Sequence, residues 1–268
     1  MTTITEVARK TPATPRKARQ PAEFDPYLYG WRHIPRLLPD GALKWERVPL
    51  TLADILHPQL GDYQTRSFEH ARFRTHLYNV LRAKVATDPS AVVLSNVRVG
   101  WGSLGPDPHS PDIAVIFNVR QYQDWSTFNT AEEGTKPSLI IEITSPATRS
   151  VDLVDKFEEY AEVGVPYYVI VDSYRQRKEK VQRLLGYQLT DEGYVALPLD
   201  TRGRLWLPPV GLWLGFDQGE LVCYDENDQR LENYVEINRA RQREAQARAA
   251  AEERVRQLEE ELRRLRGA

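Results

Sequence analysis

Residues 137–172, "PSLIIEITSPATRSVDLVDKFEEYAEVGVPYYVIVD", narrow the folding options more than any other stretch. Two apolar runs, Leu139–Ile143 and Val165–Val171, bracket a segment whose Val151, Val154, Phe157 and Tyr160/Ala161 recur at helical spacing before Gly164. Short continuous apolar runs suit strands covered on both faces, and glycine stops a helix. A strand–helix–strand unit with two buried strands implies a right-handed parallel crossover, hence an α/β sheet. Within the first run stands one charge, Glu142. An ionised carboxylate costs several kcal/mol or more to bury unless a cation pairs with it or is coordinated by it.

The rest of the chain extends this unit. "SFEHARFRTHLYNVLRAKVA" reads as a helix capped by Ser67, with Phe73, Leu77, Val80, Leu81 and Val85 on one stripe. Thr51 is placed to cap a shorter helix in "TLADILHP". Strands are expected in "AVVLSNVRVGW" and "SPDIAVIFNV", and Gly- and Pro-punctuated strands after Asp172 should extend the sheet. Residues 1–22, rich in Thr, Pro, Ala and basic side chains, read as a disordered basic tail, leaving 23–232 as the globular domain. Residues 233–268 read as a helical tail, with Val255, Leu258, Leu262 and Leu265 giving two heptads of weak coiled-coil character. Such a tail suits a homodimer or contact with a partner protein.

Composition excludes several classes. The 36 basic and 38 acidic residues leave no global field toward nucleic acid, though only a local patch is needed for binding. No apolar run approaches the ~20 residues that span a membrane, so no membrane partner and a cytoplasmic setting are expected. One cysteine, Cys223, rules out an internal disulfide framework.

Three acids and a lysine carry the chemistry. Asp112 follows Pro111 at the mouth of a strand, Glu142 lies within the next apolar strand, and Asp152 and Lys156 share a helix face four residues apart. Acids on adjacent strands can converge on Mg²⁺ or Mn²⁺, with a lysine orienting water or stabilising phosphate charge, as phosphodiester hydrolysis requires. Blander readings stay open: Asp112 as a turn residue, Asp152–Lys156 as a helix pair, Glu142 in an ion pair with Arg149 or Lys156. His109 could serve as ligand or base, while His33, His57, His70 and His76 show no metal-binding spacing.

These residues, "SPDIAVI" followed by "PSLIIEITSPATRSVDLVDKFEEYAEVGVPYYVIVD", resemble the Uma family of bacterial restriction-type endonucleases, in the PD-(D/E)xK nuclease superfamily. The resemblance is strong over 69–172 and looser to about 224. It implies a restriction-endonuclease-like mixed sheet flanked by helices, with C-terminal strands and the helical tail appended. It implies DNA as substrate, Asp112 and Glu142 as ligands of Mg²⁺ or Mn²⁺, and Glu69 as a further acidic ligand on the first long helix. The superfamily's usual lysine, two residues after the acid, is here Thr144, which leaves Lys156 as its substitute. The competing implication is a nuclease fold that binds DNA, or assembles with a partner, without cutting.

Overall fold

The computed structural model describes residues 25–177 and 179–267. The basic tail expected at 1–22 lies outside them. The chain opens with a hairpin of β1 (Gly30–Leu37) and β2 (Leu43–Pro49), with Trp31↔Pro49 and Leu37↔Leu43 in register. Helix α1 (Leu52–Leu56) follows, and Thr51 and Asp54 cap it reciprocally in a capping box. The two-residue β3 (Tyr63–Gln64) then pairs with the other edge of β1.

Helix α2 (Phe68–Val85) starts where the Ser67 hydroxyl accepts the His70 amide at 3.1 Å. That cap sets the helical phase. It turns His70, Phe73, Leu77, Val80, Leu81 and Val85 inward and leaves Phe68 exposed. Next come β4 (Val92–Leu94), β5 (Arg98–Gly100), β6 (Ile113–Ile116), β7 (Thr127–Asn129), α3 (Thr130–Glu133) and β8 (Pro137–Ile143). A π-helical turn, Val151–Asp155, feeds directly into α4 (Lys156–Glu162). The remaining strands are β9 (Tyr167–Gln176), β10 (Glu179–Thr190), β11 (Gly193–Ala196), β12 (Leu205–Leu207), β13 (Leu212–Asp217), β14 (Glu220–Tyr224) and β15 (Arg230–Leu231).

The central sheet runs β11-β10-β9-β8-β6-β4. Only β8 and β9 are parallel, as the strand–helix–strand reading requires, and the other neighbours are antiparallel. Along β8 the two-residue period sends Leu139, Ile141 and Ile143 to the side covered by α2, and Ile140 to the side covered by Tyr160 of α4. Each fully buried leucine or isoleucine contributes about 1.5–3 kcal/mol relative to exposure. Glu142, in phase with Ile140, falls on the α4 side.

The C-terminal strands depart from expectation. Only β10 and β11 extend the central sheet; β12–β15 form a separate four-stranded sheet. Its Leu205, Leu207, Leu212 and Leu214 pack into the same core as α2. Helix α5 (Tyr234–Arg266) is capped by Asn233 and is exposed from Arg239 onward, including Val255, Leu258, Leu262 and Leu265. Among the described residues no helix is long and apolar enough to cross a membrane.

Candidate active site

Because β6 runs antiparallel to β8 with Ile113 opposite Ile141, Asp112 arrives beside the end of β8. Its backbone amide donates to Glu142 Oε2 at 3.3 Å. Its Oδ2 accepts the Ile143 amide and faces His70 Nε2, both at 2.9 Å. Its other oxygen, Oδ1, is buried without a hydrogen-bond partner among the described residues, and the Arg74 guanidinium stands 3.8 Å away. Glu142 Oε1 accepts the Tyr160 hydroxyl at 2.9 Å and lies 3.0 Å from Lys156 Nζ. The same ammonium donates to Asp152 Oδ1 at 2.9 Å. The expected helix pair is therefore real, and it is also joined to the strand acid.

Two buried carboxylates, Glu142 and Asp152, thus share the buried Lys156 ammonium, with the buried Asp112 beside them facing His70 and Arg74. Burial pushes Glu142 up to about 8; Lys156 pulls it down, but the nearby Asp112 and Asp152 charges oppose that pull. Asp152 is raised as well, by burial first, against the attraction of Lys156. For Asp112 burial also acts upward, yet the His70 ring, Arg66 and Lys156 hold it below the usual carboxylate range. Lys156 rises although burial disfavours its charge, because Asp152, Glu142 and Asp112 all favour it. The pair Glu142–Lys156 shifts upward on both sides: burial and the neighbouring acids favour the protonated form of Glu142, and the same acids favour the charged form of Lys156.

Other expected participants sit elsewhere. Glu69 does not join the three acids; its carboxylate accepts the Ser173 hydroxyl at 2.8 Å and pairs with Lys180. Its neighbour His70 takes the inward position, as the Ser67 cap dictates. Arg149 is not the partner of Glu142. It forks onto Asp172 at 2.7 and 2.8 Å, where Arg183 and the Thr144 hydroxyl also bind. Thr144, in place of the usual lysine, therefore ties the end of β8 to the middle of β9 through Asp172 and Ser173. His70 and Tyr160 are the site neighbours that motif reading undervalued. Each lies on an apolar stripe, His70 three residues before Phe73 and Tyr160 three after Phe157, and that spacing is the available signal.

A second polar cluster gathers His57 with His109, which no sequence spacing signals. His57, His109 and Glu159 bring one ligand atom each to within 4.8 Å of one another. His109 Nε2 is 2.8 Å from Glu159, and His57 Nε2 is 3.4 Å from it. Hydrogen bonding argues against a metal there. Trp101 Nε1, which can only donate, points at His109 Nδ1 at 2.7 Å, so the neutral ring carries its proton on Nε2, facing Glu159. Burial, with Lys156 and His57 nearby, pushes His109 down to about 2 and keeps that ring neutral.

The model of the Uma2 family, described as "Putative restriction endonuclease", matches residues 63–218, more than half of the chain. The chain belongs to this family. The match spans α2, the central strands, α4 and the first strands of the C-terminal sheet, and so contains Asp112, Glu142, Asp152 and Lys156. No curated protein matches. A solved structure from Anabaena variabilis, a "putative nuclease belonging to DUF820", is 17% identical and aligns with a TM-score of 0.34 over 50% of this chain and 84% of its own. A likeness that loose adds nothing to the assignment of this Uma2 chain.

Proposed function

We propose that this Uma2 protein is a divalent-metal-dependent endonuclease that hydrolyses phosphodiester bonds of DNA, with Asp112 and Glu142 holding the metal and Lys156 completing the site. The observation that carries the reading is the acid excess itself: Asp112, Glu142 and Asp152 around Lys156, with Asp112 Oδ1 buried and unpartnered. A hard cation with oxygen ligands suits that donor set and would remove the repulsion that drives Glu142 toward protonation. Mg²⁺ or Mn²⁺, when bound, would supply an activated water and charge screening at the phosphate.

The chain's own residues do the positioning. His70 and the Ile143 amide fix Asp112 through Oδ2 and leave Oδ1 as its free atom. Tyr160 holds Glu142 from the α4 side, and hydrogen-bonded support of this kind fixes the orientation of a ligating carboxylate. Lys156 donates to Asp152 and pairs with Glu142, which leaves an ammonium proton for an incoming phosphate oxygen or water.

Burial supports a second reading, a nuclease fold that binds DNA without cutting it. Glu142 is 1% and Lys156 4% exposed, so a phosphate reaches them only after local opening. One experiment separates the two. Supercoiled plasmid and a matched RNA are incubated with the protein and Mg²⁺ or Mn²⁺, beside an Asp112→Asn/Glu142→Gln double variant. Metal-dependent nicking by the wild type alone supports the nuclease. Retarded but intact DNA with both proteins supports the binder, and RNA-only cleavage removes the DNA assignment.

A further inference from the structure

Three arginines outside the acidic cluster have no carboxylate within hydrogen-bond distance among the described residues. Arg66, Arg74 and Arg98 line one polar cleft of about 320 Å³, together with the 58–62 loop, Gln64, Asn96, Ser110 and Ser126. Elsewhere Arg32, Arg149 and Arg183 each hold a carboxylate at 2.9 Å or less. In the cleft, Arg66 reaches only the Thr65 carbonyl and the Gln64 amide oxygen. Its Nε and that of Arg98 are buried without partners among the described residues. Arg74 approaches Asp112 Oδ1 at 3.8 Å, beyond hydrogen-bond distance. The one acid lining the cleft, Asp62, is already neutralised: Arg32 forks onto both its oxygens at 2.8 and 2.9 Å, and the Gln59 amide adds a third bond.

The cleft is therefore a net-cationic pocket with orphaned donors, and one of its arginines, Arg74, stands 3.8 Å from the buried Oδ1 of Asp112. Guanidinium groups present a planar fork that matches phosphate oxygens, and an unpaired buried donor is costly until an acceptor arrives. We propose that Arg66, Arg74 and Arg98 form the seat for backbone phosphates of the nucleic-acid strand beside the scissile bond. This assignment rests on the nuclease reading above and names the part of the substrate that the site grips. Arg74 has a double position: it reaches toward the seat on one side and toward Asp112 on the other, which sets strand register relative to the acids. Ser110 and Ser126 add neutral donors, as is common for phosphate contacts that fix register without reading sequence.

The test measures binding apart from cleavage. Full-length protein in EDTA is titrated with a fluorescein-labelled DNA duplex between 50 and 250 mM KCl, for the wild type, Arg66→Gln/Arg98→Gln and Arg66→Lys/Arg98→Lys. Each lost phosphate contact lowers the slope of log K against log salt by roughly 0.9. The glutamine variant should lose close to two units of slope and more than tenfold in affinity at 100 mM KCl, and the lysine variant should recover most of the slope. Arg230→Gln, whose partner is Glu236, serves as the control and should match the wild type. Competition by inorganic phosphate at tens of millimolar shows whether the free ion alone fills the seat; complete displacement at low millimolar would identify a small-anion pocket and overturn the strand assignment. Glutamine variants with wild-type slope and affinity, or a wild type that binds no DNA, overturn it too. Plasmid nicking is scored separately. Cleavage with an unchanged slope sinks the arginine seat alone, and a lowered slope without cleavage by the wild type sinks the nuclease alone.

Discussion

Glu142→Gln is the perturbation that the electrostatics of the acid cluster specify most sharply. Burial and two neighbouring acids carry Glu142 from an ordinary 4.5 up to about 8. A carboxyl whose folded pKa is raised binds its proton more tightly in the folded state. Folding is then helped at low pH, and that help is lost as pH rises from about 4.5 to about 8. At 1.36 kcal/mol per unit, the whole displacement sets a ceiling of roughly 5 kcal/mol. Because Asp152 and Lys156 share the titration, about 2–3 kcal/mol should be seen for this one substitution. Glutamine cannot titrate, but its amide nitrogen would face the Asp112 N–H that now donates to Oε2, a penalty of about 1–3 kcal/mol at every pH. The two stability curves should therefore cross: wild type more stable near pH 5, variant equal or more stable near pH 8. Urea unfolding in EDTA at half-unit steps, extrapolated linearly, gives both curves. Parallel curves across this window would mean that Glu142 is ionised throughout. Its contact with Lys156 would then be an ordinary buried ion pair, and the argument from acid excess would fall. Adding Mg²⁺ should raise the thermal midpoint of the wild type far more than that of the variant, since only a ligand of the folded state stabilises it.

Lys156→Met removes the single ammonium among the three acids and should cost about 3–5 kcal/mol at pH 8, and clearly less at pH 5, by the same urea assay. Tyr160→Phe deletes the hydroxyl that holds Glu142 and should destabilise by about 1–3 kcal/mol, with plasmid nicking falling more than the affinity for DNA. Asp172→Asn loosens the fork of Arg149 and the contact of Arg183; thermal melts should fall by several degrees while Mg²⁺ still raises the midpoint, because this knot lies outside the acid cluster. Truncation after Asn238 should leave the thermal midpoint of the domain unchanged, since α5 is exposed beyond that residue; a drop in midpoint or a halved mass by light scattering would show that the Val255–Leu265 stripe is covered in solution.

The sequence made the central unit legible because apolar runs and caps are local signals. Leu139–Ile143, Val165–Val171, the Ser67 and Thr51 caps and the inward stripe of α2 all follow from them. The helix after β8 departs from its periodicity in one respect: Val154, on the expected apolar stripe, is 53% exposed, while Asp152 and Lys156 are buried. Periodicity assumes that charges face water, and it fails where charges neutralise one another inside. The cluster of His57, His109 and Glu159 draws on three separate segments, and no spacing rule reaches across such separations. The same holds for β12–β15, whose alternation announces strands but not which sheet they join. Glu69 and His70 show how finely a cap decides: one residue of phase turns the acid toward Lys180 and the histidine toward Asp112.

The π-helical turn at Val151–Asp155 carries an evolutionary consequence. In it the Lys156 amide reaches back to the Val151 carbonyl, one residue farther than an α-helix allows, so the segment holds an extra residue relative to a regular helix. Removing any one residue there would heal the hydrogen-bond ladder and give a more regular helix. It would also rotate everything upstream by about 100° relative to α4. Asp152 would meet Lys156 from three residues away instead of four, and Arg149 would be turned away from Asp172. Substitutions at an exposed position such as Val154 are cheap by comparison. Within this family the segment should accordingly drift in composition and resist change in length, and a single-residue deletion between Asp152 and Lys156 should yield a well-folded protein in which the Arg149–Asp172 fork is broken while Glu142 keeps Lys156.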